Sequence, residues 1–565
     1  MRLKLNYQLG IIAILTIGLQ LTANAAVFNK QVKIEEGIIS GVYDDQHQVV
    51  QWLGVPYAQR ATGKNRWHEP QKAKKFKQIL DCSQVAPANI QFNGKQVIGE
   101  EGVLTLDIVR PDNESKNLPV MVFIHGGNNQ TSNSRLWEGN LFAKEADIVY
   151  VSVQYRLGLL GFNNLPALQH GNSYEESGNF GLLDQAAALS WVKANIKQFG
   201  GDPKNITVSG FSAGGRDVLA MLISPAFKGK FAKAISFSGG LTIAPEANSQ
   251  KIIAQKLAPL VVTDGMANNL INAERWLLSK KAKDKKAVRN YLTNLRAEKL
   301  VPIMAGAGIR MSAFPHLYND GNLLAKEGFK TKNYNSVPLL LLSSSDEFSS
   351  FAARDPYFKK NLSKINNDED ITSQFSFANK YGSLLYALFN GQEVAENIYD
   401  NYTEDIYVCN FAFGHNAEVV GQDYSVRHGA CHGIFLPFLT DQEYAYTKNT
   451  NAFQQPGALE LGKIFRSSLG TFMRTGNPNT SLLNNTWQKW NPQYKPEMVF
   501  DANKQQAKIY SMNSRISYEG ILAEMDNDNS IAPKDKNYII RHVLNGRWFS
   551  KKLDEKYSNP SLWLH

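Results

Sequence analysis

The feature that most constrains the fold is a short glycine-rich segment, GFSAGG at residues 210–215, with Ser212 at its centre. Residues 206–209 before it are β-rich, and residues 216–223 after it are compatible with a helix. Glycine two residues before and two residues after the serine leaves room for a turn that larger side chains would block. The segment therefore predicts a sharp strand-to-helix turn that lifts the Ser212 hydroxyl above a sheet, with helix amides close behind it.

Apolar β-rich runs alternate with glycine-punctuated helical stretches around this turn, between residues 105 and 240. Strands that alternate with crossover helices are typical of a parallel sheet. We therefore predict an α/β protein with a large, mostly parallel central sheet flanked by helices, in which the GxSxG turn at residues 210–214 resembles the nucleophile elbow of the α/β-hydrolase fold. Predicted strands cover residues 120–124, 148–155, 337–342 and 406–411, and a predicted helix covers residues 182–196.

A second glycine-rich segment lies well upstream of Ser212, where HGG at residues 125–127 directly follows a predicted strand. An enzyme that transfers acyl groups needs amide donors aimed at the oxyanion that develops on the substrate carbonyl. Glycine lets the backbone approach a substrate closely, so we assign these donors to the amides of Gly127, Asn128 and Ala213. The alternative is that HGG forms only a glycine-rich turn at the end of a strand.

Composition places the chain among ordinary globular proteins, because 43% of its 565 residues are hydrophobic and 20% are charged. Its formal net charge of +10 is spread along the chain, and the densest basic run, residues 280–289, contains Asp284. We interpret this run as a solvated helix face, so no nucleic-acid partner is expected. The sequence has neither a CxxC pair nor an HExxH motif, and we expect no metal site and no cofactor.

The N-terminus carries the pattern of a secretory signal peptide. Basic residues precede an apolar run over residues 9–21, and small residues follow at positions 23–25. The apolar run is shorter than the ~20 residues that a membrane-spanning helix needs. We therefore expect residues 1–25 to be a signal peptide and the protein to be exported, periplasmic or secreted, without stable membrane insertion after cleavage.

Beyond these motifs, the sequence resembles the type B carboxylesterases, a family that also contains the cholinesterases. The segments that carry the resemblance are WLGVPYA at 52–58, YRLG at 155–158, NFGLLDQ at 179–185 and FGGDPKNITV at 199–208. The resemblance implies one α/β-hydrolase catalytic domain over residues 26–565 that needs no cofactor. It also implies a catalytic triad in the chain order Ser, Glu, His, with Ser212 as the nucleophile.

The resemblance nominates Glu347 as the acid of that triad. The run DEFSSF at residues 346–351 follows the strand predicted at 337–342 and is similar to the D-E-G-S-x-F of the family. Phe348 takes the place of the family glycine. Asp346, the preceding residue, is the competing carboxylate.

The base of the triad is nominated in the same way. The run HGACHG at residues 428–433 precedes an apolar stretch, 434–439, in the place that the family reserves for its catalytic histidine. His432 matches the position of the base, and His428 is the alternative. The family usually has an acidic residue three positions later, where this chain has Phe435.

Further departures from the family pattern bear on the substrate. Phe211 precedes the nucleophile where the family usually has glutamate, which removes a negative charge and predicts a preference for neutral over cationic esters. Asn89 and Val103 stand where most of the family has a disulfide, and the loop between them has no Trp of the kind that holds quaternary ammonium in cholinesterases. Choline esters are therefore expected to be poor substrates.

The three cysteines of the chain allow at most one intramolecular disulfide. Cys82 has no cysteine nearby in the sequence, and we interpret it as a small buried residue. Cys409 and Cys431 either pair with each other or remain free thiols, and the sequence does not decide between these states.

Taken together, these residues predict an exported serine carboxylic-ester hydrolase whose partner is a small neutral ester. Glu347 would orient His432, and His432 would take the proton of Ser212, so that an acyl-enzyme forms and water hydrolyses it. Two alternatives stay open: a catalytically silent binding or adhesion domain of the same fold, and a specialised hydrolase of lactones, polyesters or aromatic esters. The sequence makes no prediction of the oligomeric state.

Overall fold

The computed structural model describes residues 27–311, 313–448 and 450–559, so the signal peptide predicted at residues 1–25 lies outside the described residues. The strands are β1 Gln31–Lys33, β2 Ile38–Ser40, β3 Val42–Asp44, β4 Val49–Pro56, β5 Leu80–Asp81, β6 Gln91–Phe92, β7 Val97–Ile98, β8 Thr105–Pro111, β9 Leu118–Ile124, β10 Val149–Val153, β11 Gly201–Phe211, β12 Lys233–Phe237, β13 Leu339–Ser344, β14 Ile406–Phe411, β15 Pro496–Ala502 and β16 Ala507–Asn513. The α-helices are α1 Asn140–Ala146, α2 Gly158–Gly161, α3 Phe180–Asn195, α4 Ala213–Leu222, α5 Glu246–Thr263, α6 Leu270–Leu277, α7 Ala282–Asn294, α8 Ala297–Leu300, α9 Ser349–Arg354, α10 Pro356–Lys359, α11 Glu369–Asn390, α12 Gln392–Ile398, α13 Ala417–Val420, α14 Gln422–Arg427, α15 Pro456–Thr475, α16 Tyr518–Asn527, α17 Pro533–Tyr538 and α18 Lys551–Lys556.

Eleven of these strands form one central sheet, in the order β16-β15-β14-β13-β12-β11-β9-β10-β8-β4-β3. Neighbouring strands run parallel from β15 to β10, and antiparallel pairs close both edges. Strands β9 and β13 are buried along their whole length, because helices cover both faces of a parallel sheet. The predicted α/β fold with a large, mostly parallel sheet flanked by helices is confirmed.

The elements predicted around the Ser212 turn are present, with small shifts in their bounds. The strands predicted at 120–124 and 148–155 correspond to β9 and β10, and the helix predicted at 182–196 corresponds to α3. Strand β11 ends at Phe211 and helix α4 begins at Ala213, so the turn lies at Ser212 itself. Apolar runs bounded by glycine identify these elements well, because buried parallel strands need no polar face.

The core consists of an apolar layer on each face of the sheet. Successive residues of a strand point to opposite faces, and on β9 Val120, Val122 and Ile124 pack into the cluster that contains α3, α4 and α5. Met121 and Phe123 pack into the cluster on the other face, with α1 and α15. The sheet is therefore held in place by helices on both sides, and its carboxyl edge is left for loops.

A third hydrophobic cluster joins α11 to the C-terminal part of the chain. It contains Phe348, Tyr386 and Trp548, each of which is buried. Phe348, which replaces a family glycine, has room for its ring because Gly382 on α11 faces it. A Cβ at Gly382 would lie 2.2 Å from the Phe348 ring. The C-terminal residues are therefore packed against the segment that follows β13.

The basic run at 280–289 falls largely on α7, as the interpretation of a solvated helix face requires. Val288 and Leu292 bury the apolar side of this helix, whereas Lys283 and Lys286 are exposed. No helix in the described ranges is both long enough and apolar enough to cross a bilayer.

Asn89 and Val103, at the positions of the missing family disulfide, contact each other directly. The Asn89 side chain donates from Nδ2 to the Val103 carbonyl oxygen at 2.6 Å and accepts from the Val103 amide at 2.9 Å. Nδ2 also donates to the carbonyl oxygen of Tyr155 at 2.8 Å. Both Asn89 and Val103 are buried, so hydrogen bonds shielded from water close the loop.

All three cysteines are free and buried. Cys409 lies on β14 and Cys431 adjoins His432, and no disulfide joins them. Burial raises the pKa of Cys82 and of Cys431 to about 12. A thiol with such a pKa stays protonated near neutrality and is a poor nucleophile.

Asn89→Ala is expected to lower the free energy of unfolding by about 2–4 kcal/mol, because it leaves buried backbone groups of Val103 and Tyr155 without partners. Lys95→Ala, an exposed change in the same loop, is the matched control and should shift stability by less than about 0.5 kcal/mol. Urea denaturation followed by tryptophan fluorescence measures both. Equal stability of the two variants would contradict a closing role for Asn89.

Candidate active site

Ser212 occupies the turn between β11 and α4 in a backbone conformation that serine rarely adopts, with φ 58° and ψ −115°. Its amide donates to the carbonyl oxygen of Phe237 on the neighbouring strand at 2.8 Å. A Cβ at Gly214 would lie 2.0 Å from the carbonyl oxygen of Ile124, so only glycine allows α4 to start this close to β9. The predicted turn is therefore present, and it places Ser212 at the carboxyl edge of the sheet.

Glu347 and His432 are brought together from distant parts of the chain. Glu347 is fully buried, and its Oε2 forms a short hydrogen bond with Nδ1 of His432. Its Oε1 accepts from the Ser344 amide at 2.8 Å and from the Ser238 hydroxyl. With Nδ1 committed to the carboxylate, the free position of the imidazole is Nε2, which is buried and has no hydrogen-bond partner among the described residues.

Three aromatic rings surround the His432 imidazole. Its centroid lies 4.7 Å from the ring of Phe211, 5.1 Å from that of Phe351 and 5.7 Å from that of Tyr386. Since Phe211 directly precedes Ser212, the imidazole lies beside the turn. Apart from Phe211, these rings were not identified from the sequence, because they come from α9 and α11, which are remote from His432 in the chain.

Asp346, the competing carboxylate, holds the loop that carries His432. Its Oδ2 accepts from the Ala430 amide at 2.9 Å and is 3.0 Å from Nδ1 of His415. Its backbone also pairs with that of Cys431. Asp346 thus positions the chain next to His432, whereas Glu347 contacts the imidazole.

The carboxylates of Asp346 and Glu347 bind groups other than the imidazole of His428, the alternative base. Its ring packs on Tyr424 with the centroids 5.1 Å apart. Burial and the nearby Arg427 lower the pKa of His428 to about 4. Its carbonyl oxygen accepts from Ser349, so its contacts are those of a structural residue.

The HGG segment and the residues after it form a tight loop next to Ser212. Gly127, Asn128 and Asn129 have successive φ values of 89°, 58° and 56°, so the backbone curls in the left-handed region. A Cβ at Gly126 would lie 2.9 Å from Cβ of Ser212. The amides of Gly127, Asn128 and Ala213 donate no hydrogen bond to another described residue, and they remain available to a substrate oxygen.

A buried network that the sequence did not reveal anchors this loop. The Asn129 side chain donates to Oδ1 of Asp217 at 2.8 Å, and Gln185 donates to Oδ2 of Asp217 at 2.7 Å. The Tyr155 hydroxyl lies 2.8 Å from both Oδ1 of Asn129 and the carbonyl oxygen of His125. Burial raises the pKa of Asp217 to about 6. No spacing motif signals these contacts, since their partners are tens of residues apart.

Two departures from the family pattern lie in contact with each other. The rings of Phe211 and Phe435 meet edge to face with the centroids 5.3 Å apart, and Phe435 stacks on Phe237 at 4.8 Å. The family that the sequence resembles usually has acidic residues at the positions of Phe211 and Phe435. Here both positions carry aromatic rings that pack beside the base.

A sequence profile described as "Carboxylesterase family" matches residues 29–407 of this chain. The match includes Ser212 and Glu347 and ends before His432. The chain is 28% identical over 490 residues to the para-nitrobenzyl esterase of Bacillus subtilis (strain 168), which covers 81% of this chain and 92% of that protein. It is 32% identical over 350 residues to the liver carboxylesterase of Sus scrofa, over 58% of each chain.

Solved structures of two esterases are similar in fold to this chain. A p-nitrobenzyl (PNB) esterase superposes with a TM-score of 0.60 and 25% identity, over 86% of this chain and 98% of that chain. A carboxylesterase of Geobacillus stearothermophilus superposes with a TM-score of 0.64 and 24% identity, over 88% of this chain and 99% of that chain. The latter likeness establishes the fold.

Asp217 belongs to the buried network that anchors the HGG loop, and we expect it to make the stability of the folded protein depend on pH. Because its folded pKa is about 6, the folded protein keeps a proton that the unfolded chain releases near pH 4. Stability should therefore fall as the pH rises from 4 to 7, by up to about 3 kcal/mol relative to Asp217→Asn.

Urea denaturation at pH 4, 5, 6 and 7 measures this difference. Asp45→Asn, an exposed change of the same kind, serves as the control and should show no such trend. A constant difference between the wild type and Asp217→Asn across this range would contradict the assignment.

Proposed function

This chain belongs to the carboxylesterase family and is a carboxylic-ester hydrolase, and we propose that it acts through a Ser212–His432–Glu347 triad and an acyl-enzyme. The observation that carries the proposal is the pairing of the buried Glu347 carboxylate with Nδ1 of His432 beside the Ser212 turn. This pairing fixes the tautomer in which Nε2 is free to act as a base.

In this mechanism Nε2 of His432 takes the proton of Ser212 as Oγ attacks the ester carbonyl carbon. The amides of Gly127, Asn128 and Ala213 stabilise the oxyanion, and Glu347 stabilises the imidazolium. His432 then gives the proton to the leaving alcohol. Water, activated by the same imidazole, hydrolyses the acyl group from Ser212.

The proposed substrates are neutral rather than cationic esters. The positions of Phe211 and Phe435 supply rings where the family has carboxylates, and Phe211 and Tyr386 contact the base directly. An apolar wall of this kind offers a cation no counter-charge, and desolvation of a cation is costly. Choline esters are therefore disfavoured.

We further propose that residues 1–25 direct export and that residues 26–565 act as one catalytic domain in the periplasm or outside the cell. The proposal is supported by the basic, apolar and small-residue pattern of the first 25 residues. Detection of the processed N-terminus in the exported fraction is its direct test.

Ser212→Ala is expected to lower kcat/KM for p-nitrophenyl butyrate by ~10³-fold or more, and a fluorophosphonate is expected to label the wild type at Ser212 alone. Loss of the hydroxyl removes the acyl-enzyme, while binding and the oxyanion amides remain. Turnover and labelling both absent from a folded wild type would favour a silent binding domain.

Two matched pairs distinguish the triad members from their neighbours. Glu347→Gln and His432→Ala are expected to lower kcat by ~10²-fold or more, because they remove the acceptor of Nδ1 and the base. Asp346→Asn and His428→Ala should cost about tenfold or less, since they alter only the supporting loop. A reversed order within either pair would reassign the role to the neighbour.

The preference for neutral esters is tested with butyrylcholine and 3,3-dimethylbutyl butyrate, which share the acyl chain and the shape of the alcohol. We expect kcat/KM to be at least about tenfold higher for the neutral ester, because the Glu347 carboxylate is bonded to His432 and is not free to pair with the ammonium. Phe211→Glu should narrow that gap. A clear preference of the wild type for butyrylcholine would overturn the proposal.

A further inference from the structure

Arg216 is a buried arginine whose hydrogen-bonding capacity is largely unused. It lies on α4 four residues after Ser212 and is 2% exposed. Its Nη2 donates to Oδ1 of Asn128 at 2.8 Å. Its Nε and Nη1 are buried and have no hydrogen-bond partner among the described residues.

In the described part of the chain, no carboxylate lies within ion-pairing distance of the Arg216 guanidinium. The carboxylate next to it in sequence, Asp217, turns both oxygens to the side chains of Asn129 and Gln185. Burying a cation without a partner is costly, so proteins rarely do so without a purpose. Three other buried arginines are ion-paired: Arg66 with Glu101, Arg156 with Asp184 and Arg547 with Asp355. Arg110, which is also buried, donates instead from all three of its nitrogens to carbonyl oxygens and to Asn113 Oδ1.

A second side chain with an unused polar atom, His316, lies next to Arg216. His316 is fully buried, its Nδ1 is 3.1 Å from the carbonyl oxygen of Phe314, and its Nε2 has no partner among the described residues. Trp548 contacts both groups: the guanidinium of Arg216 lies 5.2 Å from its ring centroid, and the His316 imidazole meets its ring edge to face with the centroids 5.1 Å apart. The unsatisfied polar atoms thus belong to two side chains that contact the same indole ring.

The position of this cluster relates it to the acyl half of a substrate. His432 protonates the leaving alcohol, so the alcohol departs on the side of His432. The acyl group stays on Ser212 with its carbonyl oxygen at the loop amides, one of which belongs to Asn128. Because Arg216 is bonded to Asn128 and lies one helical turn from Ser212, it is placed to meet the acyl chain.

We propose that Arg216 binds a carboxylate carried by the acyl group, so that the preferred substrates are monoesters of dicarboxylic acids. A carboxylate accepts charge-assisted hydrogen bonds from a guanidinium, and both Nε and Nη1 of Arg216 are free to donate one. Trp548 covers the guanidinium, so the incoming carboxylate displaces its indole ring. The reaction forms the ester of Ser212 with release of the alcohol, and water then releases the dicarboxylate.

This inference rests on the proposed ester hydrolysis and narrows its substrate class. Cationic esters remain disfavoured, and a negative charge at the far end of the acyl chain becomes favourable. An anion bound beside Arg216 would also favour protonated His316, whose Nε2 then becomes a second donor.

The first test uses the wild-type protein alone. The rate of hydrolysis of monoethyl glutarate is compared with that of ethyl 5-amino-5-oxopentanoate, which has the same shape and a neutral amide in place of the carboxylate. We expect kcat/KM to be about 10- to 100-fold higher for the acid, as for a charge-assisted hydrogen bond. Monoethyl malonate, succinate and adipate, each paired with its own neutral amide, then locate the best chain length.

The second test follows the same ratio of acid to amide in variants. The ratio is used because the loss of the bond to Asn128 affects both substrates alike. We expect Arg216→Met to bring the ratio to one or below, and Arg216→Lys to keep part of it. Arg296→Met, at an exposed arginine, is the matched control and should keep the wild-type ratio.

The outcomes separate this inference from the function on which it rests. If neither ester is hydrolysed and a fluorophosphonate does not label Ser212, the proposed function fails. If the wild type hydrolyses the amide as fast as the acid in every pair of the series, the carboxylate subsite is wrong and the esterase proposal stands. If Arg216→Met labels normally and keeps the wild-type ratio, Arg216 is not the group that binds the carboxylate.

Discussion

The parallel pairing of β9 with β11 is the interaction on which the rest of the site depends. In its register Ile124 lies opposite Gly210, so both strands end side by side at the carboxyl edge of the sheet. The HGG loop, whose amides are assigned to the oxyanion, follows β9, and Ser212 follows β11. Gly214 then seats α4 against the Ile124 carbonyl. The nucleophile and the amide donors are therefore neighbours because two buried strands pair in one register. This placement comes from the backbone and does not depend on side-chain contacts within the site.

The sequence pattern within short segments predicted the strands and the turn that carry Ser212. The other residues of the site meet through contacts between distant parts of the chain, which no local pattern predicts. β9, β11 and the turn at Ser212 follow from apolar runs and glycines that lie within a few residues of each other. Glu347 and His432 are 85 positions apart and meet only in the folded chain, so they came from family resemblance. Asp217 and Asn129 are 88 positions apart, and no motif pairs them, which is why their network became visible only in the structure.

The departures from the family pattern are compensated in pairs. Asn89 and Val103 replace a covalent link with two hydrogen bonds between the same positions. Phe211 and Phe435 replace two acidic residues with an aromatic contact. A change at only one of the positions 89 and 103 would leave an unpaired thiol. Their joint presence therefore describes a site rebuilt around apolar packing.

Compared with the usual family pattern, this chain has less negative charge beside the nucleophile. The family carboxylates next to the serine and after the base are absent, and Glu347 is tied to His432. Among the described residues, the guanidinium of Arg216, one helical turn from Ser212, is bonded to Asn128 but has no carboxylate within ion-pairing distance. A site that has lost negative charge and keeps a buried positive one disfavours cations for two reasons, desolvation and repulsion. The same arrangement attracts an anion.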